Sequence, residues 1–139
     1  MLIVDQVSVS LTNKTILERV EFQAQPGEIT AVIGPNGSGK STLMRAMSGE
    51  IPYEGKILLN GHNIETCQHW ELASMRAVLP QKSVLAFSFT VSEVVHIGLR
   101  NGISAESNNI IYDALSHVGL IDFAQRQYSE LSGGEQQRV

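Results

Sequence analysis

The sequence predicts an α/β protein made of an antiparallel β subdomain, a strand–loop–helix core and an α-helical subdomain. Three observations predict it. Apolar and polar residues alternate over residues 2–9 and 16–24, a continuous apolar run at 29–33 enters a glycine-rich loop followed by helix formers, and from Thr90 onward apolar residues recur at helical spacing.

Taken in order, Leu2, Val4, Val7 and Val9 pair with Ile16, Val20, Phe22 and Ala24 across a turn at Thr12, Asn13 and Lys14. Gln25, Pro26 and Gly27 are turn chemistry, and 29–33 is the kind of run that a parallel sheet buries on both faces. Residues 41–48 form a helix with Leu43, Met44 and Met47 on one side and Gly49 as its stop. A strand follows at 55–60 with an Asn60-Gly61 turn, then a helical turn near 70–75 and a short strand at 77–79. Thr90 and Glu93 have capping-box spacing and open a helix carrying Val94, Val95 and Ile97. Ile110, Ile111, Ala114, Leu115 and Val118 repeat at helical spacing up to Gly119.

The bulk numbers narrow the function classes. At 139 residues with 42% hydrophobic content the chain is sized for one ordinary core. Ten Lys and Arg against 14 Asp and Glu, scattered and netting −4, leave no basic surface for nucleic acid, so no nucleic-acid partner is expected. Cys67 is the single cysteine, which excludes an internal disulfide and makes the cytosol the default compartment. The opening MLIVDQVSVS alternates and lacks a basic flank, unlike a signal peptide or a span, so contact with a membrane is expected only through a partner. His62, His69, His96 and His117 are dispersed, and no metal site is expected among them. Cys67 and Trp70 read as packing residues, and 122–126 as a solvated helical turn.

GPNGSGKS at 34–41 fits G-x-x-x-x-G-K-[ST] between an expected strand and an expected helix, the context in which the pattern forms a P-loop NTPase core. Gly34, Pro35, Asn36, Gly37, Ser38 and Gly39 are the expected phosphate cradle, the glycines letting backbone N–H groups turn inward. The helix start adds its dipole, Lys40 a mobile cation, Ser41 a hydroxyl for Mg²⁺, and Thr42 a contact to the α-phosphate. The expected ligands are ATP and Mg²⁺.

LSGGEQQRV at 131–139 is by itself a helix start: Ser132 and Glu135 have capping-box spacing, and Gly133 and Gly134 leave N–H groups free for an anion. With the phosphate loop, it resembles the signature of ATP-binding-cassette (ABC) ATPases, and Gln81 falls at that family's Q-loop glutamine. The resemblance covers the whole chain. It implies a core over 1–81, a helical subdomain with the signature over 82–139, and a head-to-tail homodimer. Each ATP would lie between Lys40 and Ser41 of one subunit and Ser132, Gly133 and Gly134 of the other. It makes Lys40 and Gln81 catalytic, has Gln81 reach the Mg²⁺ held by Ser41 or the attacking water, and gives residues 82–90 to a contact with two transmembrane permease subunits, for which Phe87 and Phe89 are candidates, core packing beneath the helical subdomain being the alternative.

RAVLPQ at 76–81 and LAFSFTVSEVV at 85–95 resemble more narrowly the ATPases of bacterial iron-chelate importers, those of haem (hemin) import above all, with Ser88 where proline is usual. That implies a peripheral place on the cytoplasmic face of the inner membrane, an indirect link to a periplasmic haem-binding protein, and ATP hydrolysis coupled to uptake. Other iron-chelates, cobalamin, a soluble ABC ATPase of iron–sulfur assembly, translation or DNA repair, and a non-hydrolytic binding module are the alternatives; residues 82–95 favour transport. Two departures matter. Leu11 stands where the family stacks an aromatic residue on adenine, a contact worth about 0.5–1.5 kcal/mol. The sequence also ends before the family's acidic strand, catalytic carboxylate and switch histidine, so the expectation is a truncated ABC ATPase domain, unable to hydrolyse ATP alone and marginally stable because the strand at 29–33 lacks a neighbour.

Overall fold

The computed structural model describes residues 1–80, 88–99 and 107–139. The chain divides into two compact units, Met1–Val78 and Leu79–Val139. Gln81 and Phe87, and with them most of 82–90, lie outside the described residues.

The first unit is organised by an antiparallel sheet of β1 (Leu2–Leu11), β2 (Lys14–Ala24), β3 (Glu54–Leu59) and β4 (His62–Asn63), in the order β2-β1-β3-β4. Thr12 and Asn13, with φ of 50° and 62°, make the two-residue turn between β1 and β2; Asn60 and Gly61, at 50° and 85°, do the same between β3 and β4. Two consecutive positive φ values are what a type I′ hairpin turn needs to match strand twist. Strict alternation fails in β1, because Val4 and Val7 are both buried although three residues apart. A bulge with Gln6 at φ 50° absorbs the extra residue, and the β1–β2 register shifts there. A second irregularity, at Arg19 with φ 46°, accompanies a change of face in β2: the buried residue is Leu17, whereas Ile16 is half-buried.

Helix α1 (Lys40–Met47) buries Leu43 and Ala46 in the cluster formed by Val4, Val7, Val9, Leu17 and Ile57. Met44, expected on that side, is 53% exposed, since the buried pair is spaced i, i+3 and Met44 falls beside it. Gly49 at φ 71° follows the helix as its left-handed stop. Helix α2 (His69–Met75) anchors through Leu72. Trp70 corrects its packing expectation: it is 72% exposed, two positions away from Leu72 and so pointing elsewhere on the helix.

Neither the strand expected at 29–33 nor the one at 77–79 forms. Ile29 and Ile33 are 99% and 90% exposed, and among the described residues no strand pairs with either segment. An apolar run becomes a ladder only where neighbours supply its hydrogen bonds and cover its faces, and the antiparallel sheet here offers neither to 29–33.

The second unit packs α3 (Val91–Ile97), α4 (Ser107–His117) and α5 (Gly133–Gln136) with 3₁₀ turns at Ile121–Phe123 and Tyr128–Glu130. Its core comprises Val91, Ile111, Leu115, Leu120, Ala124, Tyr128 and Leu131. Ile111 and Leu115 are the inward stripe of α4; Ile110 and Ala114, one position earlier, are exposed, as is Ile97 at the end of α3. Residues 122–126 are more than a solvated turn. Ala124 is buried, the Arg126 guanidinium lies 4.7 Å from the Phe123 ring centroid, and the carbonyls of Ala124 and Arg126 accept from Ser92 N and Val91 N. Among the described residues no helix is long and apolar enough to cross a membrane.

Candidate functional site

The loop at 34–42 belongs to the first unit and leads directly into α1. Ser38 N donates to Pro35 O at 3.3 Å, closing a turn in which Gly37 takes φ 80°, the left-handed value that the third position of a type II turn needs. Gly39 is the N-cap of α1 at φ 91°, and a Cβ there would lie 2.6 Å from Leu17 Cδ2 and 3.3 Å from Ile16 O. A Cβ at Gly34 would crowd Ser38 Oγ at 2.9 Å. Gly37 and Gly39 are therefore set by backbone angle, and Gly34 and Gly39 by close approach.

Lys40 is half-buried, and its ammonium donates to Gly34 O and Pro35 O at 2.8 Å each. The stem folds back over the loop and holds its mouth, and the third ammonium donor remains for a ligand. Pro35, Asn36, Ser38 and Ser41 are exposed and Thr42 is half-buried. Helix α1 has neither a side-chain cap at Gly39 nor an acidic residue in its first turn. Its first N–H groups therefore keep the positive end of the helix dipole open to an anion. A triphosphate fits this cradle on charge and donor set, and the Ser41 hydroxyl at the helix start suits a hard cation such as Mg²⁺. Leu11, expected beside adenine, is half-buried and packs against the first unit's core.

Residues 132–134 open α5 in the second unit. Ser132 Oγ accepts from Glu135 N at 3.4 Å, while Glu135 Oε2 accepts from Ser132 N and from Ser132 Oγ, both at 2.7 Å. Those bonds, the hydroxyl's first, hold the Glu135 carboxyl below the ordinary glutamate range. Thr90 and Glu93 repeat the reciprocal cap at α3, and Glu93 is lowered likewise by its bonds from Thr90. Gly133 and Gly134 are exposed, neither has a positive φ, and a Cβ on either would meet nothing within 4 Å. Among the described residues, neither backbone angle nor packing calls for glycine there.

Sequence patterning missed the support behind these loops. Leu17 and Ile16 of β2 back Gly39 across more than 20 residues of chain, and Tyr128 holds Gln136, as described below. Only the glycine itself hinted at the first contact. Among the described residues no group of three or more His, Cys, Asp and Glu is placed to hold a metal ion.

A family model described as ABC transporter matches residues 17–139. The chain is 52% identical over 134 residues to the hemin import ATP-binding protein HmuV of Ruegeria sp. (strain TM1040), covering 96% of this chain and 52% of that protein. It is 50% identical over 139 residues to the HmuV of Jannaschia sp. (strain CCS1), covering 100% and 52%. The chain thus spans about half the length of the curated relatives it matches. Among solved structures, a bacterial Atm1-family ABC exporter with ATP bound superposes with a TM-score of 0.83 at 28% identity, covering 99% of this chain and 26% of that one. The ATP-binding subunit of an ABC transporter gives 0.80 at 26%, covering 99% and 58%. The chain belongs to the ABC transporter family.

Proposed function

We propose that this chain is the nucleotide-binding part of the ATPase subunit of an ABC importer that couples ATP hydrolysis to uptake of haem across the cytoplasmic membrane. The observation that carries the nucleotide reading is the uncapped, acid-free start of α1 beneath a loop whose carbonyls are clamped by Lys40. Gly34, Pro35, Asn36, Gly37, Ser38 and Gly39 cradle the phosphates with their amides, Lys40 neutralises charge, Thr42 holds the α-phosphate, and Ser41 with Gln81 ligates Mg²⁺. Lys40 and Gln81 act in catalysis. The exposed Gly133 and Gly134, required by nothing among the described residues, support a second contact to phosphate from another subunit, hence a head-to-tail dimer.

Haem as cargo is supported by the hemin-import relatives at about half identity over nearly all of this chain. Residues 1–81 are then the core and 82–139 the helical subdomain, with 82–90 meeting two permease subunits at the cytoplasmic face of the inner membrane and a periplasmic haem-binding protein acting through them. Hydrolysis is assigned to the full-length protein, because positioning water in line with the γ-phosphate needs a carboxylate and a histidine beyond the groups described.

The test of the nucleotide site is Lys40→Ala. It removes a cation whose charge-assisted bonds are worth about 1.5–3 kcal/mol each, so ATP affinity measured with a fluorescent analogue falls about a hundredfold or more. Unchanged affinity refutes the assignment. For cargo, ATPase stimulation in the reconstituted transporter is expected from a haem-loaded binding protein; stimulation only by a cobalamin- or siderophore-loaded one refutes haem.

A further inference from the structure

Tyr128 is 7% exposed, and its phenol is engaged in a way that packing alone does not need. The hydroxyl donates to Gln136 O at 3.1 Å, and Gln136 Nε2 donates to Tyr128 O at 3.1 Å. These two bonds close a ring around the helix start at Ser132. On its other flank the same stretch of chain is fastened to α3. Tyr128 N donates to Phe89 O at 2.9 Å, Gln127 bridges Thr90, Val91 N donates to Arg126 O at 3.0 Å, and Ser92 N to Ala124 O at 2.9 Å.

Helix α5 is described over Gly133–Gln136. Its capping box fixes Ser132 against Glu135 but leaves the position of both within the unit free. Leu131 anchors the chain before it, and Arg138 Nη1 donates to Val118 O at 3.0 Å after it, at an exposed site. Val139 packs against the second unit's core as well, and the hydrogen-bonded tie to the helix itself is the Tyr128–Gln136 pair. A phenylalanine would fill the same volume; the hydroxyl adds a directional tie to a backbone carbonyl of the helix.

We propose that Tyr128 is a positioning residue for the nucleotide contact at Ser132 and Gly134, fixing that helix start to the frame of α3. The role presupposes the contact proposed above. Tyr128→Phe keeps the ring and removes the tie. On the full-length ATPase it lowers kcat about three- to tenfold, the rate equivalent of one hydrogen bond, while ATP affinity at the phosphate loop stays within about twofold. Gln136→Met, which removes the reciprocal bond and leaves the phenol in place, gives the same split. Lys40→Ala serves as control. Wild-type turnover in both Tyr128→Phe and Gln136→Met beside a defective control overturns the positioning role alone, as does an equal loss of affinity and turnover in Tyr128→Phe. A control that binds ATP like wild type overturns both readings together.

Discussion

Replacing Gly37 and Gly39 separately by alanine distinguishes what backbone angle and what packing demand of the phosphate loop. Both residues sit at left-handed φ, 80° and 91°, so each alanine incurs a conformational cost of about 1–2 kcal/mol. At Gly37 the new methyl meets nothing within 4 Å, and that cost is the whole effect. At Gly39 it lands 2.6 Å from Leu17 Cδ2 and 3.3 Å from Ile16 O. Leu17 is buried in the first unit's core and cannot swing away, so overpacking adds about 1–3 kcal/mol. The expected losses are about 1–2 kcal/mol for Gly37→Ala and about 2–5 for Gly39→Ala, large beside a total stability of about 5–15. Urea unfolding with a shared slope measures both. Adding Leu17→Ala to Gly39→Ala deletes the clashing methyl and brings that alanine's cost down to the backbone share, a non-additivity of about 1–3 kcal/mol. If the two glycines cost the same within about 0.5 kcal/mol, Leu17 does not back the helix start, and the account of Gly39 fails.

Two further substitutions test the frame around the site. Gly55 takes φ 98° opposite the β1 bulge, where an added Cβ would run into the Gln6 carbonyl; Gly55→Ala is expected to cost about 3 kcal/mol or more, because both partners are backbone. A circular-dichroism melt within a degree of wild type contradicts the bulge geometry. Glu135 is depressed by its bonds from Ser132, so its contribution is present above the unfolded value and is lost as pH falls through the lower, folded one. Amide exchange at Gln136 therefore accelerates only in acid below the ordinary glutamate range, and Glu135→Gln abolishes that dependence; a carboxyl titration placing Glu135 at or above that range refutes the cap.

The parts of the fold that were legible in the sequence are those written by local chemistry. Thr12-Asn13 and Asn60-Gly61 announce two-residue turns, GPNGSGKS announces a loop before a helix, and the Ser/Thr-x-x-Glu pairs at 90–93 and 132–135 announce helix starts that form as read. What was not legible depends on partners distant in sequence. Residues 29–33 and 77–79 have strand composition, but a ladder is a property of neighbours, and none of the described strands pairs with them. The bulges at Gln6 and Arg19 shift the strand period, so Leu17 rather than Ile16 becomes the core residue and the support for Gly39. At the site, the residue types were readable, whereas the Lys40 clamp on Gly34 and Pro35 carbonyls and the Tyr128–Gln136 ring were not, because they are folded-state geometry.

The helix starts differ in what their amides face, and the difference orders the two halves of the proposed nucleotide site. At α2, α3 and α5 a glutamate of the first turn accepts from the preceding N-cap amide, Glu71 from Gln68, Glu93 from Thr90 and Glu135 from Ser132, each at 2.7 Å. Each of those carboxylates offsets the dipole and repels an incoming anion. Helix α1 has no such residue, and Lys40 adds a full positive charge beside its open amides. Of these four helix starts, that of α1 is therefore the one most favourable to an anion. At 132–134, Glu135 already occupies the Ser132 amide and hydroxyl, so an approaching phosphate meets the amides of Gly133 and Gly134 and gains the Ser132 hydroxyl only by breaking its 2.7 Å bond to Glu135.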